Sequence, residues 1–434
     1  MMNIAIIGGG ASGMITAYLL DRQGHAVTVY ERQPILGGHI RTLNKNIQGT
    51  AAASEPACAE VLETGVLEFP TAFTNFLRLM EDLEVPLQPV EVGSGIFFED
   101  GRHFLSPGMI EHNFHGWQKW QEVIHTNSLY ASSIGLWLKT HLVSQASLPG
   151  QALSAYLAAD SPQATWIKLL TMYSYSMPYT AIADFPAELA ILALRRYVFS
   201  DWVRIVGGVY SYIEKILERF TGEVVLKADI RAIQRTPDVV NIRGAIAGQP
   251  SFYHQFDRVI LATPPDQVLQ LLADPRPEEV RRFQAWRPNY ATTILHRDDR
   301  HLYQPYGIQQ GSEFDFFQMD ASWGYNAHLN RLCGIDSPQA YSLAFNLQTA
   351  IVPQNILHVQ QHHTPFYTVE ALRHRGQVIA TNGENRTYYV GAYLGDGLHE
   401  GAVTSAINVV QAIGQAKTDE PVPALQSQVG LLRH

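Results

Sequence analysis

Cysteine is nearly absent from these 434 residues: Cys58 and Cys333 are the only two, far apart and in no C-x-x-C pair. Two isolated thiols exclude a disulfide framework and a cysteine zinc site, and they fit a reducing, cytoplasmic setting. Basic charge is also short. Lys and Arg number 31 against 40 Asp and Glu, a formal net charge of -9. Nucleic acid is therefore not an expected partner, because neutralising phosphates needs a basic face. No run of eighteen apolar residues occurs, so no transmembrane helix is expected. The first residues lack the basic segment of a secretion signal. No G-x-S-x-G elbow is present, which leaves a hydrolase without support. His112 with His115, and His362 with His363, have no Cys or acidic residue at ligand spacing, so no metal is expected.

What the chain does have is apolar mass. Hydrophobic residues make up 46% of it, enough for a large core. The length suits two intertwined cores better than one.

The most specific local feature is at the start. Ile4 to Ile7 reads as a buried strand, and Gly8, Gly10 and Gly13 then fill the G-x-G-x-x-G positions. A helix pattern follows at once, with Met14, Ile15, Tyr18 and Leu19 on one face, and a second strand, Ala26–Tyr30, ends in Glu31. Gly8 permits the tight turn, Gly10 lets backbone approach a pyrophosphate, and Gly13 lets helix pack on strand. The helix start offers free N–H groups to phosphate. Glu31 stands where it would accept from a ribose diol. Such a glycine triplet alone also marks a plain turn; the strand, helix and acid at their required places turn the reading to dinucleotide binding.

Further along, Ala72 to Leu83 has helical spacing, and Val90 to Leu105 reads as paired strands about Glu99-Asp100-Gly101. A helical stretch follows that is crowded with aromatics, among them Trp117, Trp120, Tyr130, Trp137, Trp166, Tyr173 and Tyr175. Aromatics at this density are first of all core, but on inserted helices they also fit the walls of a roomy apolar pocket. Nucleotide-fold signals return at Gly207-Gly208, which opens a helix to Phe220. The strand-like Phe256–Pro265 and the helix Gly401–Ile413 come later. The expected organisation is a discontinuous nucleotide domain (1–66, 204–267 and 367–416), a substrate domain (67–203 and 268–366) and a tail (417–434).

Glu31, Leu36-Gly37-Gly38, Glu63-Thr64-Gly65, Gly207-Gly208, Leu261-Ala262-Thr263-Pro264 and Gly391 to Ala402, in that order, resemble the FAD-dependent amine oxidoreductase superfamily. That group includes amine oxidases, protoporphyrinogen oxidases, carotenoid desaturases and flavin-dependent isomerases. Phe185-Pro186-Ala187, Val206–Tyr212, Ile294–Asp298 and Gly391–Glu400 are closer still to a bacterial subgroup of NAD/FAD-binding proteins. The layout is also similar to that of flavin-dependent fatty-acid double-bond isomerases. The resemblance implies an α/β, glutathione-reductase-like FAD-binding Rossmann domain with an inserted α+β substrate domain.

It also implies site residues. Gly8, Gly10, Ala11, Ser12 and Gly13 would cradle the FAD pyrophosphate, Glu31 and Arg32 the adenosine ribose, and Ile230 the adenine. Gly37, Gly38, His39 and Arg41 would follow the pyrophosphate and ribityl chain. Gly65 and Val66 would line the isoalloxazine, with Ala262, Thr263, Gly391 and His399 in the same set. Glu400, Gly401 and Ala402 would open the last helix beneath the pyrimidine ring, where free N–H groups favour the negative charge of reduced flavin.

The chain departs from classical amine oxidases in three places, one being the loop around Gly391-Ala392, which lacks the acidic residue that usually follows the glycine. Leu398 stands where they carry a cage aromatic, and Asn289-Tyr290-Ala291 holds no lysine. An apolar substrate reacting at carbon therefore fits better than an amine. No cysteine lies near the C-terminal loop, so FAD is expected to be non-covalent. No second G-x-G-x-x-G for NADPH is present. His39, Tyr173, His296, Tyr393 and His399 are the candidates for an acid or base, each also compatible with a structural role. The expected function is FAD-dependent oxidation of a small hydrophobic molecule, with hydride passing from its carbon to flavin N5. One alternative is a redox-neutral isomerase of a fatty-acyl or polyene substrate. Another is a non-catalytic FAD-binding partner subunit. The aromatic stretch is also compatible with a weak membrane-surface contact.

Overall fold

The computed structural model describes residues 1–49, 58–158, 161–297, 299–320 and 322–415. The tail expected at 417–434 lies outside them.

Short apolar runs build a five-stranded parallel sheet. Its order is Thr387–Tyr389, Arg258–Leu261, Asn3–Ile7, Ala26–Tyr30 and Glu223–Val225. Ile4, Ala5 and Ile6 are fully buried, as a strand covered on both faces requires. The Ala11–Arg22 helix leaves Asn3–Ile7 through the glycine turn and packs on the His399–Gln415 and Ser211–Arg219 helices. A three-stranded antiparallel flap (Ala228–Arg235, Val240–Ile246, Ser251–Phe256) rises beside Tyr30. Tyr30 stacks on Phe252 at 5.5 Å and bonds His254 through its hydroxyl at 2.7 Å.

The second large sheet has seven strands: Ile356–Pro365, Pro288–Arg297, Tyr341–Phe345, Ser322–His328, Phe314–Met319, Ile96–Phe97 and His103–Phe104. It is antiparallel except where Ile96–Phe97 runs parallel to Phe314–Met319. A small third sheet joins Phe69–Pro70 and Leu87–Val90 to Trp202–Ile205. The helices Gly116–Leu142, Pro162–Tyr175 and Ala187–Tyr197 pack together beside these sheets. Pro162–Tyr175 begins with a proline, and Ser161 caps it by accepting from Ala164 N–H.

Three local expectations shift. Phe256–Pro265 is not one strand: Phe256 closes the antiparallel flap, Asp257 turns to accept from Asn3 N–H, and the parallel strand is Arg258–Leu261. Val90 pairs with Trp202 rather than with the hairpin about Asp100. The helix expected from Gly207 starts at Ser211, because Gly207 and Gly208 take φ of +79° and +91°, outside the helical region.

Candidate functional site

One cavity of about 1100 Å³ runs from the parallel sheet to the helical region. That exceeds the roughly 300–1,000 Å³ of an ordinary ligand pocket and leaves room for a cofactor and a substrate together.

Its first end is bare backbone. Gly8, Gly10, Ala11 and Ser12 line it, and Gly37, Gly38 and Arg41 face them. Gly8 has φ +110°, and a Cβ there would sit 2.7 Å from the Ala262 carbonyl oxygen. Gly13 does not reach the cavity. Its missing Cβ lets the helix press against the Gly8 carbonyl, the packing role read from its spacing. Gly37 N–H donates to Gly9 C=O at 2.8 Å, so the second glycine loop braces the first. Glu31 accepts from Gly9 N–H at 2.8 Å and Gln33 N–H at 2.7 Å, which fixes its carboxylate at the cavity edge. Arg41 is buried and donates to the Leu36 and Ile40 carbonyls. Arg32, Ile230, Ala262 and Thr263 complete this end, and the buried Thr263 hydroxyl has no partner in the protein.

Midway, Gly65 and Val66 line the wall, and a Cβ on Gly65 would collide with the His39 carbonyl. The Thr64 carbonyl just before Gly65 is held twice: Thr293 hydroxyl donates to it at 2.6 Å, and His362 Nε2 at 2.9 Å. His362 is pushed down to about 3 by burial and by His39, so it stays neutral as a donor. The neighbouring Glu63 carboxyl accepts from Thr42 hydroxyl at 2.9 Å and Val209 N–H at 2.7 Å. Burial pushes it up to about 8. It ties the loop before Gly65 to the Gly207-Gly208 turn, a role its sequence context did not signal.

The last helix corrects part of the expected set. Glu400 does not line the cavity. Its two oxygens accept from Asn75 N–H at 3.0 Å and Phe76 N–H at 2.9 Å, capping the Thr74–Asp82 helix. Gly401 N–H is taken by Asp396 Oδ1 at 2.8 Å, which also accepts from Leu398 N–H. Those two residues are therefore spent on helix ends, while Gly391, His399 and Ala402 do line the wall.

The far end is built of side chains. Phe104, Leu129, Trp137, Trp166, Phe314 and Tyr325 come together there from the seven-stranded sheet and two helices. Tyr173 stacks on Phe314 at 4.4 Å and meets Tyr325 edge-on at 4.9 Å. Its hydroxyl donates to Glu68 at 2.7 Å. Not every aromatic turns inward: Trp117 is 72% exposed and Trp120 points the same way, so the Gly116–Leu142 helix is apolar outside as well as inside.

Four of the five acid–base candidates, His39, Tyr173, Tyr393 and His399, line the cavity. His39 bonds the His363 carbonyl at 2.7 Å through its ring. Tyr393 keeps a buried hydroxyl without a partner. His399 bonds Tyr212 hydroxyl at 2.9 Å and is pushed down to about 4 by burial and His39. His296 lies elsewhere. It is fully buried in the seven-stranded sheet, where Nε2 meets Asn326 Oδ1 at 2.9 Å, and it does not line this cavity. Alternation along Pro288–Arg297 turns it to the far side of the sheet from the wall residue Thr293. Glu68 and Thr293 were missed because nothing adjacent in sequence marks them, whereas Trp137 and Trp166 line the wall as their aromatic stretch suggested.

A parallel nucleotide-type sheet joined to a large mixed sheet, with one cavity across both, is the plan of a two-part flavoenzyme. The family model for flavin containing amine oxidoreductases matches residues 11–295. The chain belongs to that family, and with it to flavin-dependent oxidoreductases. An all-trans-zeta-carotene desaturase of Myxococcus xanthus is 32% identical over 102 residues, 23% of this chain and 18% of that protein. The matched part spans less than a fifth of the length of the curated relatives. Whole-chain likeness is structural. A CLA-producing fatty acid isomerase from P. acnes superposes with TM-score 0.68 at 14% identity, covering 95% of this chain and 98% of that one. Cyclohexylamine oxidase from Brevibacterium oxydans gives TM-score 0.67 at 14% identity, covering 96% and 99%. At such identity these two likenesses speak for the fold. Among the described residues no helix is long and apolar enough to cross a membrane.

Proposed function

We propose that this chain holds FAD non-covalently and moves a hydride from a carbon of a small hydrophobic substrate to flavin N5. The observation that carries the reading is the single cavity joining a glycine cradle to an aromatic chamber. In this reading the Gly8–Ser12 turn takes the diphosphate, Glu31 the ribose, and Arg41 and Gly38 the chain toward the ring. The orphaned Thr263 hydroxyl fits such a ligand, because a buried polar group without a partner lacks its natural complement. The bound flavin supplies the two-electron acceptor. The chain's own task is to exclude water and orient the substrate, which Phe104, Leu129, Trp166 and Phe314 do by apolar contact.

The same chamber also suits the redox-neutral alternative, a double-bond isomerase, since an apolar chain would fill it. A chamber of this size speaks against the non-catalytic subunit. Anaerobic turnover separates the first two: conversion without any acceptor supports isomerisation, and peroxide formed in air supports an oxidase. A protein that is colourless and takes up no FAD on reconstitution would end both.

We also propose a weak membrane-surface contact through Trp117, Trp120, Ile124, Leu138 and Leu142. They share one face of the Gly116–Leu142 helix and are all exposed.

A further inference from the structure

The far end of the cavity carries polar atoms among its aromatics, including the unpartnered Ser133 Oγ and Trp137 Nε1, but one carboxyl. Glu68 is 9% exposed, lines the wall, and sits three residues beyond Gly65. The other two carboxylates of the lining, Glu31 and Asp229, belong to the nucleotide end. Tyr173 hydroxyl donates to Glu68 Oε1 at 2.7 Å, while Oε2 has no partner at all. Tyr173 itself is clamped between Phe314 and Tyr325, so the carboxyl it holds cannot swing freely. Tyr325 and Cys333 are the other titratable groups near Glu68, and neither brings positive charge. Burial pushes Glu68 up to about 7, against the pull of the Tyr173 hydrogen bond. A buried oxygen left without a partner is costly and calls for a reason.

We propose that Glu68, positioned by Tyr173, is the acidic subsite of this chamber and takes one N–H or O–H group of an otherwise apolar ligand. The proposal rests on the reading that this end of the cavity receives the substrate. It adds the substrate's chemistry: an apolar body with a single hydrogen-bond donor, neutral or cationic. Above about pH 7, where Glu68 is ionised and where the binding below is read, a carboxylate head is refused there, because two carboxylates cannot both stay ionised in a buried site. A fatty acid would have to enter with its head away from Glu68.

Four probes that share one ring test this: cyclohexylamine, cyclohexanol, methylcyclohexane and cyclohexanecarboxylate. Binding to the purified protein is read by calorimetric titration, so no turnover is needed. The amine, the alcohol or both bind at least tenfold tighter than methylcyclohexane, and the carboxylate binds no tighter than methylcyclohexane. Which donor wins tells an ammonium from a hydroxyl. In Glu68→Leu the preference disappears and methylcyclohexane changes less than twofold. If that variant does not fold, Glu68→Gln keeps the Tyr173 contact and still loses the preference for the amine, or, where only the alcohol binds, Tyr173→Phe weakens it severalfold. Equal binding of all four probes to the native protein overturns the proposal, as does a preference that survives Glu68→Leu or, should that not fold, its stand-in. Visible absorbance of the same sample reports separately on the cofactor. A colourless protein that still selects donors contradicts the flavoenzyme reading and leaves the subsite standing.

Discussion

The two ends of the cavity are made of different material. At the nucleotide end the wall is glycine backbone, from Gly8, Gly10, Gly37 and Gly38; at the far end it is aromatic side chain from four parts of the chain. Backbone can be bared only by glycine at set spacing, so the first end is a local property of sequence. An aromatic wall is a property of packing: Phe104, Trp137, Tyr173 and Phe314 meet only after the seven-stranded sheet and two helices have assembled. The two ends should therefore fail differently. Substitution at the first should remove cofactor abruptly, and substitution at the second should grade ligand preference.

The largest effect is expected at Gly13. A Cβ there collides with the Gly8 carbonyl, a backbone atom that cannot move aside. Gly13→Ala should lose about 3 kcal/mol of stability, the upper part of the overpacking range, and purify without flavin. Thermal melts and absorbance near the flavin bands check both.

Next comes Glu63, between the two ends. Its carboxyl is raised from 4.5 to about 8 by burial. A raised acid contributes stability that is complete below its unfolded value and is lost as pH rises through the folded one. Denaturation should therefore become easier from about pH 4.5 to 8. Glu63→Gln should flatten that slope; an unchanged slope would place the pH dependence elsewhere.

A smaller effect is expected at Thr263. Thr263→Val removes one hydroxyl that the protein does not itself use, so stability without cofactor should hold. Flavin affinity should fall by about tenfold, the worth of one hydrogen bond. An unchanged Kd would say that the hydroxyl does not face the ligand.

The smallest effect on the fold is expected on the outer helix face. Trp117→Ala with Trp120→Ala should change stability by less than about 0.5 kcal/mol, as exposed residues do. Co-sedimentation with lipid vesicles should weaken severalfold. Equal sedimentation of both proteins would remove the proposed membrane contact.

The contrast also explains what the sequence made legible. The strands Asn3–Ile7 and Ala26–Tyr30 and the helix between them were readable, because apolar runs, glycine spacing and a terminal acid all agree over thirty residues. The final helix was readable from Val403, Ala406, Val410 and Ile413, which are buried on one face. Its start was misassigned at the level of atoms. Glu400 and Gly401 spend their polar groups on Asn75, Phe76 and Asp396, partners up to 325 residues away. His296 looked eligible by residue type, and only the sheet reveals which way it faces. Glu68 carried no signal: a lone acid beside Phe69-Pro70 reads as surface until Tyr173 is seen to cover it. The aromatic helices were legible as a pocket wall in kind, but the turn of Trp117 and Trp120 to the outside was not.

The most direct measurement is on the protein as purified from cells. It should be yellow, and acid or heat denaturation should release FAD into the supernatant, about one per chain, leaving a colourless pellet. A colourless preparation that fails to take up added FAD would contradict the account, and so would a chromophore that stays with the polypeptide.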